Sequence, residues 1–367
     1  MNQQSDNLSQ TSIVFQETSM RITSLRFILA IFVVFIHNNL DADTAVNYYH
    51  LDFIEPIVIT WIKRLICNVL GGAAVPLFFM FAGYLQFRKK DTYLVLLKKK
   101  TKSLLIPYVI WTIICILAFF IGQSIPHIAT YFQNENNIVR DWKFIDWINL
   151  FWTHETDNAL KPPLVYQLWF VRNLIVLIIA SPLLNYLAKK TPFAVIITAF
   201  LCYLNGLSIG LGTALFFYMC GYFFAEYDID FISLADKISW LDFVILISFE
   251  MLVLVLFGER IKLFGLGTII SCLFFLKLSG RIIAKPKVFS ITEYLAGFSF
   301  FLYAIHAPFL VNLLNKISYR IISLHGLGCL LQFILPPLIT IIIGTVIGIG
   351  LKKICFPLFV LLNGGRK

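Results

Sequence analysis

The sequence predicts an all-α fold, a polytopic membrane helix bundle of about ten transmembrane helices with both termini cytoplasmic. Three observations predict it. Hydrophobic residues make up 59% of the 367 residues and charged residues only 14%, with a mean hydropathy of +0.82, well outside the soluble range. The apolar residues form continuous runs near the ~20 residues a spanning helix needs, without the alternation of a β-barrel strand. Lys and Arg concentrate in connections that fall on one side of these runs, the bias that orients membrane helices.

In chain order, the expected spans cover residues 21–39, 66–87, 104–122, 168–187, 192–207, 212–225, 241–257, 262–278, 291–314 and 330–351. The polar first twenty residues carry no charged n-region with a cleavage site, so 1–19 is expected to be a retained cytoplasmic tail and not a signal peptide. Residues 20–352 then make one membrane domain, and 353–367 a short cytoplasmic tail. The fifth and sixth spans are short and their separator, 205–212, is Gly-rich and uncharged, so a broken or re-entrant pair is the alternative there.

The net charge of +10 implies no nucleic acid in such a chain; it encodes orientation. The connection 88–103 carries Arg88, Lys89, Lys90, Lys98, Lys99, Lys100 and Lys102 against Asp91 alone and is expected inside. Lys189 and Lys190, Lys277 to Lys287, and Lys352 to Lys367 fall on the same side. In the first outer loop Asp41, Asp43, Asp52 and Glu55 outnumber Lys63 and Arg64. One inner connection dissents: Glu226, Asp228, Asp230 and Asp236 face Lys237. The seven cysteines are scattered through or near apolar segments with no C-x-x-C spacing, so neither a disulfide nor a metal site is expected.

The longest connection, 123–166, is expected outside and holds His127, Tyr131, Trp142, Trp147, Trp152, His154, Glu155 and Asp157. Aromatic rings stack on sugar faces and carboxylates accept from hydroxyls, which suggests a lid facing a glycan; an interfacial tryptophan belt is the competing reading. Gly344 and Gly348 form a G-x-x-x-G packing motif. Pro76, Pro107, Pro182 and Pro308 lie in or beside spans, where kinks can open a cavity. No internal repeat points to an inverted-repeat transporter.

Candidate chemistry begins in RFILAIFVVFIH, where Arg26 and His37 are separated by ten residues. Eleven helical steps are about three turns, so both share a face, roughly 16 Å apart along the axis. An ionisable residue inside a span is costly enough to suggest function, while snorkelling of Arg26 and an interfacial His37 are the structural alternative. Arginine suits phosphate and a histidine of ordinary pKa, about 6.5, can take a proton from a hydroxyl. In SFFLYAIHAP, Ser299, Tyr303 and His306 fall at i, i+4 and i+7 on one face, with His306 in the outer part of its span. A core histidine bonded to a carbonyl is the plainer account of His306. Glu293, nearer the inner end, reads as an interfacial charge. Arg172, in LWFVRN beside Trp169, belongs to the outer layer, again with snorkelling as alternative. The lysines at 98–102 serve as a positive-inside anchor, or as a phosphate site for a polyanionic donor such as coenzyme A.

These residues resemble the acyltransferase 3 family of integral membrane O-acyltransferases over nearly the whole chain. The resemblance rests on Arg26 and His37, on VPLFFMFAGYL (75–85), KKKTKSLLIPYVIW (98–111), LWFVRNL (168–174) and SFFLYAIHAP (299–308), in that order. It implies a ten-span enzyme that takes an acyl group, usually acetyl, from cytoplasmic acyl-CoA and places it on an extracytoplasmic glycan, in a bacterial cytoplasmic membrane. It also implies a catalytic role for His37 and a donor-side role for Arg26. Many relatives carry arginines before the IPY segment; here Lys99, Lys100, Lys102 and Ser103 keep the charge but lose bidentate phosphate geometry. Some relatives append a hydrolase domain, and this chain is expected to belong to the stand-alone branch.

The leading expectation is therefore an O-acetyltransferase in which Arg26, Lys100 and Lys102 hold the phosphates of acetyl-CoA and His37 acts as general base on a sugar hydroxyl. A transient acyl-histidine is the mechanistic alternative. Tyr303 or His306 would donate to the oxyanion, and Trp169 and Arg172 would contact the acceptor. The expected partners are acyl-CoA, the glycan and membrane lipid. A transporter or flippase for a glycan or small polar solute is the competing function, with the same charges lining a pathway. A silent membrane scaffold is the third, disfavoured by intramembrane charges that anchoring does not need.

Overall fold

The computed structural model describes residues 2–38, 52–89, 91–127, 129, 138–153, 162–206, 210–257 and 264–366, with side chains from residue 14 onward except those of Phe257 and Phe264. Asn39, Asp41, Asp43, Lys90, Tyr131, His154, Glu155, Asp157, Lys262 and Lys367, with 207–209 of the Gly-rich separator, lie outside the described residues.

Among the described residues the regular elements are all helical. They are α1 (Asn2–Ile36), α2 (Ile57–Lys63), α3 (Ala74–Lys89), α4 (Tyr93–Lys100), α5 (Ile106–Ser124), α6 (Phe144–Asn149), α7 (Trp169–Lys190), α8 (Pro192–Leu204), α9 (Leu211–Glu226), α10 (Phe231–Lys237), α11 (Trp240–Phe257), α12 (Phe264–Ile283), α13 (Pro286–Ala296), α14 (Ser299–Ile305), α15 (Val311–Ser318), α16 (Leu327–Ile354) and α17 (Phe356–Leu362). Seven helical stretches among the described residues are long and apolar enough to cross a membrane, or eight if the pair α10–α11, bent by 88°, is one span. The fold is thus an all-α polytopic bundle. The expected fifth and sixth spans correspond to α8 and α9, apolar helices of 13 and 16 residues.

Several boundaries differ from the sequence-based expectation, each for a local reason. The expected tail 1–19 is helical from Asn2, because no Pro or Gly interrupts it before the first span. Half of the connection 88–103 is α4, which runs through a π-helical turn, Thr101–Leu105, into α5 as one stretch, Tyr93–Ser124. The ninth span is divided: α13 ends before Gly297, and the apolar stretch is Ser299–Ser318. Within it Ala307 is extended (φ −135°, ψ 160°), as the ring of Pro308 demands of the preceding residue. The expected tail 353–367 contains α17, whose Phe359 and Leu362 are buried.

The chain divides into two compact units. The first comprises 1–90 and 216–346, the second 91–215 and 347–367, with α9 and α16 each divided between them. In the first unit α1 is central, packed along α3, α12, α13 and α14. Phe27, Ala30 and Val34 of α1 meet Leu302 and Ile341 in an apolar cluster flanked by Ile31, Phe35 and Leu295. Helices α3 and α9 approach through glycine, since a Cβ on Gly83 would overlap the Tyr218 carbonyl and one on Gly221 the Met80 carbonyl.

The dissenting acids find their explanation here. Asp236 accepts two bonds from the Arg21 guanidinium, at 2.9 and 2.7 Å, and Glu17 takes the other side of the same fork. Asp228 pairs with Arg88, and Asp230 caps α10 by accepting from the Ser233 amide at 3.0 Å. Asp236 thus clamps α10 to α1, and Asp228 ties the connection before α10 to α3. The bend that follows is set by a second cap, in which Ser239 and Asp242 exchange backbone–side-chain bonds of 3.0 Å at the start of α11.

In the second unit the Trp111 indole donates to the Leu362 carbonyl at 3.0 Å, docking α17 on α5. The connection between α5 and α7 is pinned to α5 by the Tyr108 hydroxyl on the Phe151 carbonyl and by the Val139 amide on Gln123 Oε1. An apolar groove of about 540 Å³ lies between α5 and this connection, lined among others by Leu117, Phe120, Trp147 and Phe151.

Candidate active site

Helix α1 ends where the chemistry begins. The His37 amide still bonds to the Val33 carbonyl at 3.3 Å, while the Asn38 amide tightens to Phe35 at 3.0 Å, closing the helix directly after the histidine. The apolar stripe of Phe27, Ala30 and Val34 seats α1 against α14. That packing carries His37 to the start of the π-helical turn His306–Leu310. The two imidazoles lie 5.2 Å apart between centroids, tilted by 37°.

His306 is fully buried. Its Nδ1 lies 2.7 Å from the Tyr303 carbonyl, which only accepts, so Nδ1 carries the proton. A neutral His306 therefore presents its lone pair at Nε2, and Nε2 is buried with no hydrogen-bond partner among the described residues. The plain alternative for His306, a carbonyl-bonded core histidine, describes one nitrogen and leaves the other open. Tyr303, also buried, has its ring 6.0 Å from that of His306. Ser299 turns back on its own chain and donates to the Ala296 carbonyl at 2.9 Å.

The two arginines of α1 behave differently. Arg21 is consumed by Glu17 and Asp236. Arg26, half-buried, has no hydrogen bond or ion pair among the described residues. A guanidinium in a spanning helix without an internal anion is suited to an external one.

The remaining candidates lie in the second unit. Lys100, half-buried, ends α4, and Lys102, exposed, follows in the π-helical turn. Trp169 packs on Gly210, where φ is +69° and a Cβ would overlap the indole, so the ring has a structural neighbour. Arg172 is buried, donates to the Trp152 carbonyl and to Asn173 Oδ1, and stacks 5.2 Å from the Trp152 ring. It tethers the connection between α5 and α7 at Trp152. Trp142 and Trp147 pack edge to face at 5.4 Å, and Trp147 and Trp152 are each partly exposed. Among the described residues no group of three or more His, Cys, Asp or Glu could hold a metal ion.

Two polar residues escape the sequence reading. Glu250 lies buried in α11, its carboxylate packed on Gly267 with neither oxygen hydrogen-bonded among the described residues. A lone acid in the apolar run LISFEMLVLVLF is the signal that could find it. Asn38, buried beside His37, donates through Nδ2 to the carbonyls of Gln332 and Phe333 at 3.1 and 2.9 Å. Its signal is indirect: a Pro–Pro pair in a span leaves two carbonyls seeking donors.

A family model described as an acyltransferase domain matches residues 21–352, which include all eight candidate site residues. No curated protein and no solved structure matches the chain.

Proposed function

The chain belongs to the acyltransferase 3 family and is a multi-pass membrane acyltransferase; from that premise we propose that it moves an acetyl group from cytoplasmic acetyl-CoA to a hydroxyl of an extracytoplasmic glycan, in a bacterial cytoplasmic membrane. The observation that carries the reading is the contact of His37 with His306, whose Nε2 has no hydrogen-bond partner among the described residues. Support comes from Arg26, a cation on the same helix about three turns away with no ion pair among the described residues.

In this proposal Arg26 binds the CoA phosphates and the pantetheine arm runs along α1 toward His37. Lys100 and Lys102 enter on charge alone, as cations attracting those phosphates. The acceptor hydroxyl loses its proton to His37 as its oxygen attacks the thioester carbonyl carbon. The C–S bond then breaks, and the departing thiolate of CoA takes the proton back. His306 Nε2 accepts a hydrogen bond and so orients the hydroxyl or His37. Oxyanion donation passes to the Tyr303 hydroxyl, because a neutral His306 has its only N–H on the Tyr303 carbonyl.

The test is mass spectrometry of surface glycans from a deletion strain complemented with wild type, His37→Ala or Arg26→Ala. Intact glycans lacking only acyl groups in the deletion strain and in both variants are the expected result. Full acylation with His37→Ala removes the catalytic assignment, and loss of the glycan itself from the deletion strain moves transport ahead.

A further inference from the structure

Helix α16 contains Pro336 and Pro337 side by side. Neither has an N–H, so the carbonyls four residues earlier, those of Gln332 and Phe333, are deprived of their helical donors. Both vacancies fall at one place and are filled by one side chain. The Asn38 amide donates to Gln332 O at 3.1 Å and to Phe333 O at 2.9 Å, across 294 and 295 residues of sequence. Because both partners only accept, the orientation of the amide is fixed, with the NH2 group toward α16. Asn38 is 4% exposed and Phe333 1%, so water does not compete for these bonds.

Its near neighbours in size and shape do not do the same. Aspartate has the same shape and no donor, serine has one donor, and glutamine is a methylene longer. The position adjoins His37, two residues beyond Ile36, the last residue of α1. A helix end secured by two buried hydrogen bonds to a neighbouring helix has little freedom to rotate. The side chain next to the anchor inherits that restriction.

We propose that Asn38 is a positioning residue: by occupying the two carbonyls vacated by Pro336 and Pro337 it locks the end of α1 onto α16 and holds His37 against His306. The inference deepens the acyltransferase reading and rests on it for its consequence in catalysis, though the anchoring itself does not. The proline pair is thereby part of the device. It creates the acceptors that only a donor-bearing residue at the end of α1 can satisfy.

Three variants of the full-length protein in proteoliposomes test this: Asn38→Asp; the double substitution Pro336→Ala with Pro337→Ala; and both prolines replaced together with Asn38→Ala. Two readouts are taken, acyl transfer from acetyl-CoA and the rate at which diethyl pyrocarbonate labels His37, read by peptide mass spectrometry. Asn38→Asp is expected to lower kcat about tenfold or more, with KM for acetyl-CoA within about twofold, and to speed His37 labelling severalfold. The double proline variant returns both carbonyls to the helix, leaves the Asn38 amide without these two acceptors, and is expected to lower kcat and speed labelling in the same way. The triple variant satisfies both carbonyls internally, so it is expected to unfold at or above the wild-type temperature yet to keep the low kcat and fast labelling. Recovery of kcat and slow labelling in the triple variant overturns the proposal, since Asn38 would then merely satisfy carbonyls. Wild-type kcat and labelling in Asn38→Asp overturn it as well. If the wild-type protein transfers no acyl group, the acyltransferase reading fails by itself, and the labelling rates still decide the anchoring.

Discussion

The imidazole rings of His37 and His306 lie 5.2 Å apart, one at the end of α1 and the other at the first position of a π-helical turn 269 residues later. His306 keeps its Nδ1 proton on the Tyr303 carbonyl, and its Nε2 has no hydrogen-bond partner among the described residues. Two substitutions at this residue separate its nitrogens. His306→Ala is expected to lower kcat by about a hundredfold or more, the range for loss of a group that acts with the base. His306→Asn, which can still donate at the Nδ1 position, is expected to fold like wild type and to be as inactive as alanine. Steady-state kinetics with thermal unfolding in detergent reads both.

The arginines of α1 are expected to divide stability from binding. Arg21→Ala leaves the Asp236 and Glu17 carboxylates without their fork, and because both are partly exposed the cost is about 1–2 kcal/mol. Its KM for acetyl-CoA is expected to stay within about twofold of wild type. Arg26→Ala breaks no internal bond among the described residues, so unfolding is expected unchanged while KM rises about tenfold or more.

Glu250 offers a stability gain. Its buried carboxyl group has no hydrogen-bond partner among the described residues, and a polar group so placed costs about 1–3 kcal/mol. Glu250→Leu is expected to recover part of that and raise the unfolding temperature. Gly267→Ala, whose Cβ would meet the same carboxylate, is expected to lower it in the wild-type background.

The contact of α3 with α9 has no room for a methyl group. Gly83→Ala or Gly221→Ala would set a Cβ against a backbone carbonyl that cannot turn aside. Each is expected to cost about 1–3 kcal/mol, read as a lower unfolding temperature of the purified protein.

How much of this was legible in sequence depends on the range of the interaction concerned. The helical class follows from apolar runs, and the shared face of Arg26 and His37 from helical periodicity, both local properties. The same logic groups Tyr303 with His306. Periodicity does not show that Arg21 is taken by Asp236, 215 residues away, and Arg26 by nothing among the described residues. The acidic excess at 226–236 looks like a fault in the charge pattern until Arg21 and Arg88 are seen to be its partners. Arg172, expected to face an acceptor, is occupied by the Trp152 carbonyl, a contact whose geometry no spacing rule contains. Asn38 is the clearest case, because its partners are backbone atoms exposed by prolines on another helix.

The proposed transfer depends most directly on His37. Transfer of labelled acetyl from acetyl-CoA to glycan acceptor, measured in membranes carrying equal amounts of folded wild type and His37→Ala, tests it in one comparison. The expected result is a loss of about a hundredfold or more in kcat with the KM for acetyl-CoA little changed. A His37→Ala protein that transfers acetyl at the wild-type rate would contradict it.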